Sequence, residues 1–117
     1  MHNFQELLVW QKAMAIAEEV YLLSISFPKE EKFGLTSQIR RSAVSVPSNI
    51  AEGAGRNTNK EFKHFLGISS GSCNEMFTQL ELAHRLKLVH KDKVTPILNN
   101  LIEVQKINYS LINKFSK

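Results

Sequence analysis

The sequence predicts an all-α protein, an up-down four-helix bundle, and three observations carry that expectation. Apolar residues recur at a period near 3.6 through almost the whole chain. No stretch sustains the β-branched alternation of a half-buried strand. The 117 residues suffice for one core in a single domain, residues 1–117, and leave no room for a separate catalytic domain. With 43% hydrophobic and 22% charged residues, the composition is that of a globular protein and not of a wholly disordered or collagen-like chain.

The first helix is expected over about residues 5–26. Its apolar positions include Leu8, Val9, Trp10, Ala13, Met14, Ile16, Ala17, Val20, Tyr21, Leu23 and Ile25, which leave only a narrow polar strip at Gln11, Lys12, Glu18 and Glu19. A surface helix needs one apolar stripe, and a four-helix arrangement rarely encloses one of its own members, so this helix is expected to offer apolar surface for self-association.

Phe27-Pro28-Lys29-Glu30-Glu31 makes the first connection, with Pro28 at an early helical position and the acids near a positive helix end. The second helix is expected over about 30–55, with Leu35, Ile39, Ala43, Val46, Ile50 and Ala54 facing the core. Pro47 falls inside it. Either it kinks the helix near residues 43–47, with Ser42 or Ser45 satisfying the carbonyl freed at Ala43, or it ends the helix and Ser48 caps a new one.

The stretch Gly53 to Asn59 supplies a glycine stop and then a cap before Lys60-Glu61, so the third helix is expected over about 58–86 along Phe62, Leu66, Ser69, Cys73, Met76, Leu80 and Ala83. Its middle, Gly67 to Ser72, is rich in small residues. Each helix-interior glycine costs about 1 kcal/mol against alanine, so close approach of a neighbouring helix, near Pro47, is the expected compensation. The fourth helix is expected over about 92–115, with Val94, Ile97, Leu98, Leu101, Val104, Leu111 and Phe115 inward.

The apolar runs fall far short of the roughly 20 residues that cross a bilayer, and the first residues do not resemble a secretory signal. The cytoplasm is therefore the expected location, with no membrane partner. The single cysteine, Cys73, excludes internal disulfides. It lies on the core line of the third helix, where a small hydrophobe is the ordinary role. His2, His64, His84 and His90 form no metal-binding spacing, and no Gly-rich phosphate loop is present, so no cofactor and no metal are expected. Glu52, His64, Glu75 and His84 are acid–base candidates in no recognisable constellation, so the chain is expected not to be an enzyme.

The net charge is +4, unevenly spread: residues 1–31 carry −3, 32–65 carry +4, 66–84 carry −2 and 85–117 carry +5. The two basic blocks are either solvated surface or, brought to one face, an attractant for polyanions. On the second helix Gln38, Arg41, Ser45, Ser48, Asn49, Glu52 and Arg56 recur every three or four residues on one face. Gln38, Ser45, Asn49 and Glu52 are expected to form a hydrogen-bonded polar seam against a neighbouring helix or subunit. Glu52 and Arg56 have the i,i+4 spacing of an ion pair. Arg40, Arg41, Arg56, Lys60 and Lys63 are the candidate nucleic-acid-binding residues, because guanidinium forks and ammonium groups suit phosphate oxygens.

The run from Leu35 to Arg56, LTSQIRRSAVSVPSNIAEGAGR, together with Phe62, Phe65-Leu66, Gly71-Ser72 and Glu75, and preceded by Leu8 to Lys12, Tyr21 and Phe27 to Glu31, resembles a bacterial four-helix-bundle family. That family is named for open reading frames in 23S rRNA intervening sequences. The resemblance covers all but about the last 30 residues. It implies a bundle that assembles as a ring or barrel of five chains, and a family that includes accessory proteins of diversity-generating retroelements, basic barrels that engage nucleic acid and a reverse transcriptase. The chain departs from the family pattern at Ser70, where many members carry a longer, sometimes basic side chain. The function expected is therefore a non-enzymatic oligomeric module that binds RNA or DNA phosphates, or alternatively a scaffold that docks a protein partner such as a reverse transcriptase.

Overall fold

A computed structural model describes residues 2–116; the two end residues of the expected domain, Met1 and Lys117, lie outside them. Four helices, α1 (Leu8–Ser24), α2 (Leu35–Ala54), α3 (Asn59–Arg85) and α4 (Lys91–Lys114), run up and down along a body 44 Å long and 23 by 20 Å across. Each of α1 and α3 packs against both α2 and α4, so α1 and α3 stand diagonally opposite one another.

Helix boundaries follow local chemistry. The expected first helix is shorter at both ends. Phe4–Glu6 is a separate 3-10 turn capped by Asn3, whose Oδ1 accepts from the Gln5 N–H at 3.2 Å, and extended Leu7 separates it from α1. At the other end Pro28 restricts the residue before it to extended backbone, and the chain turns there. Lys29–Glu31 is likewise its own 3-10 turn, so α2 begins at Leu35 rather than near residue 30. Thr58 caps α3 by accepting from the Glu61 N–H, and His90 caps α4 through Nδ1, which accepts from the Asp92 N–H.

The α2 helix runs through Pro47 without a break, which excludes the alternative in which Pro47 ends it and Ser48 caps a new helix. Pro47 itself is buried. Neither Ser42 nor Ser45 takes up the freed Ala43 carbonyl. The Ser45 hydroxyl instead pairs with that of Ser72 at 2.8 Å, and Ser69 Oγ donates to the Val46 carbonyl at 3.0 Å. Small serines on α3 thus come close to α2 beside Pro47, as expected, but Gly67 and Gly71 do not. Both point outward, with nothing within 4 Å of where a Cβ would stand. The helices α2 and α3 also approach closely at Gly53, where a Cβ would lie 2.8 Å from Phe65 Cβ and 2.9 Å from Phe62 Cδ1.

The predicted core lines of α2 and α3 are buried in full, and on α4 Val94, Ile97, Leu101 and Val104 are buried, with Leu98, Leu111 and Phe115 partly so. Asn108 continues the α4 line at 0% exposure. Its Nδ2 reaches the Ser69 and Ser70 hydroxyls at 3.4 Å each, and Gln105 Nε2 donates to the Ser70 carbonyl at 2.9 Å. These contacts tie α4 to α3 by polar groups in the middle of an apolar core. The chain ends meet at one pole. The His2 N–H donates to the Ala54 carbonyl at 2.8 Å, and the rings of His2, Phe62 and Phe115 stack with centroids 5.0–5.7 Å apart.

The α3–α4 turn closes the other pole. The Leu88 N–H donates to the Ala83 carbonyl and the Lys87 N–H to that of His84, which satisfies the last carbonyls of α3 and places Lys87 at φ 62°, in the left-handed region that favours glycine. Lys87→Gly is expected to raise unfolding stability by about 0.5–1 kcal/mol, because the side chain's steric cost there exceeds glycine's entropic one. A urea unfolding midpoint at fixed protein concentration measures this, and an unchanged or lower midpoint contradicts it.

Candidate functional site

The polar seam expected on α2 forms in its middle. Asn49 Nδ2 donates to the carbonyl and hydroxyl of Ser45 at 2.8 and 3.0 Å, and Ser45 is joined to Ser72 across the helix pair. Gln38 and Glu52, the ends of the predicted stripe, are exposed. Glu52 instead faces Arg56 at 3.5 Å, the i,i+4 pair its spacing predicts.

Beside the seam α2 and α3 flank a cleft of about 430 Å³ whose lining residues are all polar: Gln38, Arg41, Ser42 and Ser45 from α2, with Ser72, Glu75 and Gln79 from α3.

The five candidate phosphate-binding residues do not form one surface. Arg40 is half-buried, its Nε donates to Ser24 Oγ at 2.7 Å and its guanidinium lies 4.9 Å over the Tyr21 ring, so it fastens α2 to α1. Arg41 lines the cleft opposite Glu75. Arg56 faces two carboxylates, Glu52 at 3.5 Å and Glu61 at 3.9 Å, and covers the Phe65 ring. Lys60 and Lys63 have no carboxylate partner among the described residues.

A denser group lies at the other end of α3. A 27-residue helix is about 40 Å long, so the cations around Lys60 and those just beyond Arg85 occupy opposite poles, while Lys114, beside Phe115, returns to the pole of Phe62. Arg85, Lys87, Lys91 and Lys93 are all exposed and none has a carboxylate partner among the described residues, although Glu81 stands one turn before Arg85. The one acid in this turn, Asp92, sits 3.5 Å from His90 Nδ1. The charge of segment 85–117 pointed to this region. These four residues went unnamed because their concentration at one pole depends on the turn between the helices. The same turn meets the end of α1, where Leu22, Leu23 and Ser26 line a groove with Leu88, His90 and Lys93.

The most exposed large apolar side chains stand on α1 and in the loop after it. Leu22 is 70% exposed, Ile25 72% and Phe33 89%, with Leu8 and Met14 also outside. This face lies diagonally across the bundle from the outward-pointing Gly67 and Gly71.

No cluster of three or more His, Cys, Asp or Glu residues suited to a metal is present among the described residues, and no helix among them is long and apolar enough to cross a membrane. Burial pushes the Cys73 thiol from 9.0 up to about 12, which suppresses the reactive thiolate. The folded state therefore holds this proton more tightly than the unfolded chain does. The thiol's contribution to stability is intact below pH 9 and declines as pH rises above that. Native protein at pH 8 is expected to resist thiol alkylation until denaturant is added, and stoichiometric labelling of the folded chain would contradict the burial.

A family model described as 23S rRNA-intervening sequence protein matches residues 5–110. Among solved structures, the chain is similar to a crystal structure at 1.70 Å of a protein with unknown function from the S23 ribosomal protein family of Bacteroides thetaiotaomicron. The TM-score is 0.81 at 26% identity, covering 90% of this chain and 98% of that one. No curated protein matches this chain.

Proposed function

From the premise that this chain belongs to the 23S rRNA-intervening sequence protein family, we propose that it is a non-enzymatic, self-assembling helical module that binds the phosphate backbone of RNA or DNA through the α3–α4 turn. The observation that carries this reading is the set of four exposed cations, Arg85, Lys87, Lys91 and Lys93, within nine residues and free of carboxylate partners among the described residues. Phosphate contacts of this kind position a protein on a polyanion without reading bases. The exposed face of α1 supports assembly into a ring, five chains being the expected number, and five copies of a +4 chain present the turn repeatedly to one long ligand. Lys60 and Lys63, at the opposite pole, make a second and weaker contact. No membrane partner and a cytoplasmic setting belong to the same proposal.

The test is a titration of size-characterised protein against matched RNA and DNA duplexes at low and physiological salt. Each phosphate contact removes about 0.9 from the slope of log K against log salt. Replacing Arg85, Lys87, Lys91 and Lys93 together by glutamine is expected to weaken binding at least about tenfold and flatten the slope by several of these steps, with Lys60→Gln/Lys63→Gln having a smaller effect. Absence of salt-sensitive binding by the unaltered protein overturns the proposal.

The second reading, a scaffold that docks a protein partner such as a reverse transcriptase, is favoured by one observation: Leu22, Ile25 and Phe33, all large apolar side chains, stand mostly exposed on and just after α1. It expects a stable oligomer that leaves both duplexes unbound at low salt.

A further inference from the structure

We propose that the polar cleft between α2 and α3 binds a zwitterionic α-amino acid, with its carboxylate on Arg41 and its ammonium on Glu75 and Gln79. This inference stands apart from the phosphate-binding reading, since it uses none of the cations of the α3–α4 turn.

Three observations converge on it. Arg41 and Glu75 line the same cleft of about 430 Å³ from opposite helices, yet no ion pair within 4.0 Å joins them, and neither has another oppositely charged partner among the described residues. That volume lies within the range of small-molecule sites. Gln79 lines the cleft as well, and its Oε1 is covered from solvent without a hydrogen-bond donor. A buried acceptor left unpaired is costly, and a ligand that brings an N–H or O–H to it recovers that cost. The Ser42 and Ser72 hydroxyls, both nearly buried, add polar groups to the same walls.

The charge pattern selects the ligand class. A simple anion, such as a phosphodiester, that reached Arg41 would also meet the Glu75 carboxylate, and a simple cation drawn to Glu75 would meet the guanidinium. A molecule that carries both charges pairs each with its opposite, and an ammonium brings three donors, enough for Glu75 and the Gln79 oxygen together. The residues that line the cleft itself are all polar, so a short polar side chain, as in serine or asparagine, suits them.

Titrating the full chain, 15N-labelled, with L-serine and L-asparagine up to about 10 mM and following amide shifts tests this directly. The expected result is a saturable shift confined to the neighbourhood of Ser42, Ser72 and Gln79. Acetate and methylammonium, with one charge each, bind about tenfold or more weakly. Arg41 and Glu75 are exposed, and Arg41→Gln and Glu75→Gln each keep a polar side chain; each is expected to weaken binding about tenfold while keeping the folded spectrum. Lack of a saturable shift with either amino acid overturns the proposal, as does equal affinity for acetate. Dissociation of an oligomer by Arg41→Gln also overturns it, since a second copy would then occupy the cleft. Duplex binding measured in parallel reports separately on the phosphate-binding reading.

Discussion

Phe62→Ala is expected to cost about 3–5 kcal/mol of unfolding free energy, the upper range for removing a buried aromatic from a core. Phe62 is 2% exposed and joins three parts of the chain that are remote in sequence. Its ring stacks on His2 of the N-terminal segment and on Phe115 beyond α4, while its Cδ1 fills the space where Gly53 of α2 has no side chain. Truncation removes all of these contacts and leaves a cavity between two helices that the Ser45–Ser72 and Ser69–Val46 hydrogen bonds keep from closing. A urea midpoint lowered by about 2 M, at fixed protein concentration because assembly couples to stability, is the expected reading. A loss below about 1 kcal/mol would mean that the pole where the chain ends meet is not packed as described.

Gly53→Ala is the second large effect, and its sign is the informative part. In an open helix interior, alanine stabilises by about 1 kcal/mol relative to glycine. At Gly53 the new Cβ would stand 2.8 Å from Phe65 Cβ and 3.2 Å from the Phe62 carbonyl oxygen, so one helix has to move, at a cost of about 1–3 kcal/mol. Gly71→Ala on α3 is the matched control, since its Cβ meets nothing within 4 Å. It is expected to gain about 0.5–1 kcal/mol. Equal signs for the two substitutions would contradict the assigned contact at Gly53, and a destabilising Gly71→Ala would place a neighbouring copy against that face.

Much of the fold was legible because helix formation and core lines are local and periodic. Leu35, Ile39, Ala43, Val46, Ile50 and Ala54 repeat at spacings of three and four, and all six are buried. Thr58 caps α3 through a hydrogen bond three residues long, which is visible in sequence. The errors arose where a residue's role depends on a distant one. Asn108 occupies an apolar line, and its Nδ2 finds its partners in the hydroxyls of Ser69 and Ser70, nearly 40 residues away. The small-residue stretch of α3 was assigned one cause, yet its serines and glycines serve opposite faces: Ser69 and Ser72 touch α2, while Gly67 and Gly71 face outward.

The candidate site divides in the same way. Glu52 and Arg56 pair because i,i+4 neighbours meet on any helix. Whether a cation is free for phosphate is a different kind of property. Arg40 and Arg41 are adjacent in sequence and both basic, but the helix turns them about 100° apart, so that one bonds Ser24 of α1 and the other enters the cleft facing α3.

By itself the sequence determined the helical class, the four segments, the stop and cap before the third helix and the faces that turn inward, since these follow from backbone chemistry and a 3.6-residue period acting over a few neighbours. Only the tertiary structure decided which cations stay unpaired, where their clusters lie and that a polar cleft opens between α2 and α3. Those outcomes depend on helix pairing and on the distances at which charges, hydroxyls and ring faces from separate helices meet.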